Sequence, residues 1–378
     1  MELLVKIGDL YNAERLIKIR SAHVSGVSYK TIKDEGLEYL KELSQECRVR
    51  VKTTINPMGF DEENWSKMGV ITDQFAKKQL EIVNVYRQMG AECALTCTPY
   101  YGDNVPGFGD HIAWSESSAV IYANTVIGAR TNRLSGPLAL ASAIIGKTPY
   151  YGLHIKENRV ATVEVKVEIR DTKYEKRNME IDYGILGYIL GAKLKHRIPY
   201  FSNIRPTKDE LKSLGAALGA TGGVNMFHVK GITPEHKSAV KEKLEVIEVS
   251  QNEIQEKIDE LTSNVKPELI AIGCPHCSYD ELRDIAKTLE RKSRKKTDIE
   301  FWVCTSRRVK KRAEKYVKII EKFGKVLTDT CMVVTPIENR FQHTCVSSGK
   351  AAFYLPLKDF CSQRIIYAAY KTLIEKYL

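Results

Sequence analysis

The chain has 378 residues, with 58 Lys and Arg against 47 Asp and Glu for a formal net charge of +11, and 43% of it is hydrophobic. That composition excludes a largely disordered chain, and the length suggests two or three domains, because one core rarely grows beyond roughly 250–300 residues. The charged N-terminus carries no apolar stretch of signal-peptide length and no run of about 18 apolar residues occurs anywhere, so a cytoplasmic protein with no membrane span is expected.

Near the start, His23 stands in SAHVSGVSY among small hydroxyl residues and glycine, where a ligand could approach closely or a capped turn could form. Apolar residues then recur at helical spacing from Asp34 to Glu46 and from Asp73 to Met89, with Gly90 closing the second segment. This predicts two amphipathic helices. Each is followed by a β-type stretch, Val49 to Ile55 and Glu92 to Thr96, opening into the loops NPMGF and TPYYGDNVPGFGD. Helix, strand and loop in that order is the rhythm of an α/β layered fold.

Residues 113–146 are apolar and rich in small side chains, yet they carry Asn124, Arg130, Asn132 and Arg133, which predicts a buried helix with polar groups at its end. Arg130 and Arg133 offer fork-shaped donors for a carboxylate or phosphate, the alternative being pairing with acidic neighbours. Residues 159–171 largely alternate as a half-exposed strand does, and DYGILGYILGAK is a glycine-rich helical segment.

A second unit is expected from Arg205. Thr207 with Glu210, and later Ser278 with Glu281, have the spacing of a capping box. Three strand-loop-helix units follow, with ELIAIG leading into CPHCS, DIEFWVC into TSRR, and KVLTDTC into MVVTP. If these strands are parallel, their loops share the edge where open α/β sheets place ligands. Residues 205–334 therefore read as a second α/β region carrying the cysteine loops. Residues 1–204 read as a first α/β region with substrate-pocket loops, completed by 335–378. The basic run Glu290 to Lys296 reads as a solvated helix end without the interleaved aromatics of single-strand binders, so nucleic acid is disfavoured. An anionic small molecule or an acidic partner chain matches the positive balance better.

The nine cysteines are an odd count, and a disulfide scaffold is not expected. Cys274, Cys304 and Cys331 fall at the shared strand edge and Cys97 at the end of an earlier strand, an arrangement compatible with an iron–sulfur cluster or with buried inert thiols. Cys274-Pro-His-Cys277 is a lone CxxC, lacking the second pair that a zinc site needs. Neither GxGxxG between strand and helix nor a P-loop is present. Ser347-Ser348-Gly349-Lys350, ahead of AAFYL, supplies hydroxyls, backbone N–H groups and one lysine at a helix start, as an anion site or an ordinary cap would.

Taken together, SAHVSGVSYKTI, TTINPMGFD, CTPYYGDNVPGFGDHIAWSESSAVIYANTVIGARTNR, GCPHCS, TDTC and SSGKAAFYLP resemble the aconitase X family, from His23 to the C-terminal helix. The resemblance implies an aconitase-like three-layer α/β/α architecture with mixed or parallel sheets. It further implies a hydro-lyase of the archaeal mevalonate pathway that removes water from (R)-5-phosphomevalonate to give trans-anhydromevalonate 5-phosphate. An iron–sulfur cluster is implied on Cys97, Cys274 and Cys331, 4Fe-4S when active and 3Fe-4S as an isolated form, with Cys304 in reserve.

A separate small subunit carrying the swivelling domain and the catalytic base is implied as well, because members that dehydrate cis-3-hydroxy-L-proline are longer single chains and this one ends at Leu378. The substrate-pocket candidates are His23, Ser25, Gly26, Ser28, Asn56, Ser117, Asn124, Arg130, Asn132, Arg133, His154, His276, Ser347, Ser348 and Lys350. Of these, Arg130, Arg133 and Lys350 would meet the carboxylate and phosphate charges. The alternatives are a related hydro-lyase acting on hydroxyproline or another hydroxy acid, and a non-catalytic iron–sulfur or RNA-binding protein.

Overall fold

Three parallel sheets and one antiparallel pair of strands organise the residues described by the computed structural model, 1–168, 181–292 and 297–378. In the first parallel sheet Ser21–Val24 runs between Lys52–Ile55 and Ala113–Trp114. All four residues of the central strand are buried, as expected of a strand covered on both faces. The two predicted amphipathic helices are Tyr29–Glu46 and Asp73–Gln88, which pack on each other. Thr72 caps the second by accepting from the Phe75 N–H at 3.2 Å, and Gly90 ends it in the left-handed region.

Two expectations in this region are corrected. Glu92–Thr96 is not a strand, since only Thr54 and Glu92 form a bridge, and Leu95 takes a φ of 45° that no strand residue can hold. The buried helix predicted within 113–146 is present but divided, with the strand Ala113–Trp114, the helix Ser117–Tyr122 running into a wide turn at Ala123–Ile127, and the helix Gly136–Ile145. Asn124 holds the break. Its amide accepts from the Thr131 N–H at 3.0 Å and donates to the Thr131 carbonyl at 2.9 Å, folding the chain back at Gly128.

The second sheet has the order His228–Val229, Pro199–Phe201, Val163–Val167, Val246–Val249. Alternation is visible in Val163–Val167, whose three valines are buried, while the part of the predicted strand from 169 onward lies outside the described residues. The glycine-rich segment is the helix Tyr183–Leu194, laid against Lys208–Thr221 so closely that a Cβ at Gly187 would stand 2.5 Å from the Leu214 carbonyl oxygen. The predicted capping box starts the latter helix, Glu210 N–H reaching the Thr207 hydroxyl at 3.3 Å and Thr207 N–H the Glu210 carboxylate at 2.6 Å.

The third sheet has the order Lys325–Leu327, Glu300–Thr305, Leu269–Cys277, His343–Val346, Arg364–Tyr367, all parallel. Ser278 and Glu281 cap the helix Tyr279–Glu290 as predicted, and residues 293–296 of the basic run lie outside the described residues. Because the strands are parallel, the segments bearing Cys274, Cys331 and Ser348–Lys350 emerge at one edge. That edge faces the carboxyl edge of the first sheet. The Met58 N–H donates to the Asp329 carbonyl and the Cys331 N–H to the Met58 carbonyl, both at 2.8 Å, so the two edges are joined backbone to backbone. Among the described residues no helix is long and apolar enough to cross a membrane.

Candidate active site

Between the two facing edges lies a cavity of about 270 Å³. Ser25, Asn56, Glu116 and Ser117 come to it from the first sheet, and Gly273, Cys274, His276, Cys331 and Lys350 from the third. Cys97 closes a third side, and Pro57, Met332, Val333 and Phe360 make an apolar wall. Ligands in open α/β sheets are held at this kind of edge, where loops can vary while strands stay fixed.

Three thiols thus line one cavity. Burial pushes the Cys97 thiol well up, that of Cys274 to about 12 and that of Cys331 up as well. Lys350 is the leading charge pulling Cys274 and Cys331 back. Among the described residues no three His, Cys, Asp or Glu groups converge on a point suited to one metal ion. An all-sulfur donor set spread around a cavity instead fits a polynuclear iron–sulfur core, whose corners are held by separate thiolates.

Cys304 is fully buried in its strand and does not line the cavity. Cys277 is buried in the apolar cluster with Leu282, Ile285 and Val309, away from the cavity that Cys274 lines.

Glu116, which sequence reasoning missed, is held at the site by several partners. It begins the helix Ser117–Tyr122, accepting from Ala119 N–H and from the Ser118 hydroxyl at 2.6 Å each, and it pairs with the Lys350 ammonium. Burial by itself would raise the carboxyl, but the charge of Lys350 and these hydrogen bonds outweigh it and hold the group down to about 2. Burial likewise opposes the charge on Lys350, and Glu116 more than restores it. The sequence signal was faint: one carboxylate in AWSESS, directly before an apolar helix, where an N-cap is needed.

On the first-sheet wall, His23 is buried under the surface of the cavity and braces Asn56. Asn104 donates to the Thr54 hydroxyl at 3.2 Å, and that hydroxyl lies 2.8 Å from His23 Nδ1. The Asn56 side-chain oxygen, 3.2 Å from His23 Nε2, can only accept, so Nε2 is assigned the proton and Nδ1 accepts from Thr54, leaving the Asn56 NH₂ group for the cavity. Burial lowers His23 to about 4, so the ring is neutral. Ser25 is placed by its own N–H, which donates to the Ser115 hydroxyl at 2.7 Å.

Other predicted residues are brought elsewhere. Gly26 takes a left-handed turn, and Ser28 caps the helix Tyr29–Glu46. Arg130 and Arg133 do not converge: one donates to the His154 carbonyl at 3.5 Å, the other is exposed and donates to the Gly219 carbonyl at 2.9 Å. Asn132 bonds the Tyr151 carbonyl and the Leu153 N–H, and buried His154 faces His111 at 3.0 Å. Asn124 is the staple of the chain reversal. Ser348 caps the helix Gly349–Tyr354 by accepting from the Ala351 N–H and donates to the Cys274 carbonyl, with Ser347 half-buried beside it, so of the two readings of this motif these serines take the helix cap, and they brace a thiol loop.

Models of the aconitase X first, second and third domains match residues 1–157, 161–259 and 267–378. The chain is 48% identical to the phosphomevalonate dehydratase large subunit of Methanocaldococcus jannaschii, covering 99% of this chain and 94% of that one. It is 31% identical to a cis-3-hydroxy-L-proline dehydratase of Pseudomonas aeruginosa, over 94% of this chain but 63% of that one. Its fold is similar to the crystal structure of Thermococcus kodakaraensis aconitase X in its holo-form, with a TM-score of 0.91, 43% identity, and coverage of 100% of this chain and 94% of that one.

Proposed function

The chain belongs to the aconitase X family and is a hydro-lyase, and from that premise we propose that it is the large subunit of a phosphomevalonate dehydratase. It takes water from (R)-5-phosphomevalonate to give trans-anhydromevalonate 5-phosphate. The observation that carries the reading is the cavity itself, where Cys97, Cys274 and Cys331 share a pocket with one buried ammonium, Lys350.

Cys97, Cys274 and Cys331 are the residues that would hold the iron–sulfur cluster. Held by three thiolates, such a cluster would supply a Lewis acid for a leaving hydroxyl. The rest falls to the chain. Among the described residues that line the cavity, Lys350 is the only ammonium or guanidinium and is assigned to the substrate carboxylate, with Glu116 keeping it charged and in place. Ser25, Ser117 and the Asn56 amide supply uncharged hydrogen bonds around it. The apolar wall of Met332, Val333 and Phe360 receives the methyl branch.

The proton beside the carboxylate needs a base, and this cavity offers a poor choice. Glu116 is held at about 2 by its partners, too low for efficient proton abstraction near neutral pH. Both ring nitrogens of His276 are engaged, Nδ1 with the Thr96 hydroxyl and Nε2 with the Thr330 carbonyl. The base is therefore assigned to a small subunit that swings over the cavity. The same partner is assigned the cations that meet the phosphate, since Lys350 is assigned to the carboxylate and no second ammonium or guanidinium is found among the described residues that line the cavity.

The test is anaerobic co-production with the small subunit, followed by iron and sulfide analysis and assay with phosphomevalonate, mevalonate and cis-3-hydroxy-L-proline. Turnover of phosphomevalonate alone is expected. Equal turnover of unphosphorylated mevalonate, or turnover only of hydroxyproline, overturns the substrate; iron-free protein overturns the cofactor.

A further inference from the structure

His276 is 1% exposed and lies two residues beyond Cys274. Its backbone N–H donates to Cys97 Sγ at 3.3 Å. Its ring Nδ1 lies 3.0 Å from the hydroxyl of Thr96, the residue before Cys97. Its ring Nε2 lies 2.9 Å from the carbonyl of Thr330, the residue before Cys331. A carbonyl can only accept, so Nε2 carries the proton and Nδ1 accepts from Thr96. One residue is thus bonded into each of the three cysteine segments.

From this geometry we infer that His276 is the positioning residue that holds the loops of Cys97, Cys274 and Cys331 in mutual register, and that its ring does not contact substrate. The inference rests on the reading of those cysteines as cluster thiols. Every polar atom of the residue is committed. The ring has no nitrogen left for a ligand, and the carbonyl accepts from Lys212 Nζ at 3.2 Å.

Lys212 is itself anchored. It is 3% exposed, comes from the helix Lys208–Thr221, and pairs with Glu281 and, at 3.6 Å, with Asp209. Asp209 in turn accepts from the Tyr101 hydroxyl at 2.9 Å and the Ser278 hydroxyl at 2.8 Å. The middle unit therefore clamps the hub from behind. Groups that orient metal-binding residues without touching the metal commonly matter as much as the ligands they serve.

The test uses the full chain as wild type, H276A, H276Q and T96V. Loaded anaerobically and challenged with an iron chelator, H276A is expected to release iron roughly 10–100-fold faster than wild type, the usual scale for such supporting residues. H276Q keeps a side-chain N–H for the Thr330 carbonyl and should recover part of the retention. T96V preserves shape while removing the hydroxyl, and should shift release in the same direction by less. In iron-free protein, alkylation of Cys97 read by mass spectrometry should quicken in H276A.

Release and alkylation unchanged in H276A overturn the inference. If H276A fails to fold, unchanged release in T96V overturns it instead. Wild type that takes up no iron overturns the cluster reading, and the alkylation comparison then still decides whether His276 holds the loops.

Discussion

Lys350 reaches across the cavity to Glu116, 234 residues away in the chain, and ties the third sheet to the first by a buried ion pair. The pair combines two functions that separate under substitution. K350M leaves the Glu116 carboxylate buried without its counter-charge, and is expected to cost about 3–5 kcal/mol of stability by denaturant titration. In the assembled enzyme it should also weaken substrate binding by about 2–5 kcal/mol. The double variant E116Q/K350M should regain much of the stability while leaving binding impaired. Binding restored together with stability would mean that the ammonium serves only the fold.

C97S, C274S and C331S are each expected to abolish retention of iron and sulfide after anaerobic loading, whereas C361S should load normally. Cys361 lies against the Val333 and Thr335 carbonyls, outside the cavity lining. C304S should load as well, since that residue is enclosed in its strand. Full loading of C331S would remove that residue from the ligand set.

Acid should weaken the fold through its buried imidazoles. Burial lowers His23 to about 4 and His154 to about 3, and it lowers His228 too. The unfolded chain takes up these protons from about pH 6.5, while the folded chain resists them. The stabilisation is complete above that pH and is lost as pH falls toward the folded values, by about 2 kcal/mol each for His23 and His154 at pH 5. Urea midpoints at pH 7.5 and pH 5 check this. An unchanged midpoint would mean that these rings are protonated in the folded protein.

G187A should destabilise the middle unit. Its methyl would stand 2.5 Å from the Leu214 carbonyl and force the helices Tyr183–Leu194 and Lys208–Thr221 apart. A loss of about 1–3 kcal/mol is expected, the usual cost of overpacking. Thermal unfolding read by circular dichroism measures it, and an unshifted transition would show that the helices slide freely.

Local signals were legible in the sequence because local physics made them. Both capping boxes form, the helix Asp73–Gln88 lies where its apolar spacing places it, and the parallel strands bring Cys274 and Cys331 to one edge. Long-range geometry was not legible. Nothing near Glu116 announces a lysine from the last quarter of the chain. Arg130 and Arg133 have the spacing of a clamp but are drawn to separate carbonyls, because Asn124 folds the chain back between the helices. Ser348 has the composition of an anion cradle and is spent instead on the Cys274 carbonyl.

The pocket is walled by loops that leave two different sheets, and this makes it re-linable. Met332 and Val333 follow one strand of the third sheet, whereas Ser25, Asn56 and Glu116 follow three strands of the first. Substitutions on the apolar side can enlarge or reshape the space for a branched carbon skeleton while the polar side keeps its hydrogen bonds. For a protein engineer the scaffold therefore offers separate handles on the bulk of an accepted acid and on the recognition of its charge.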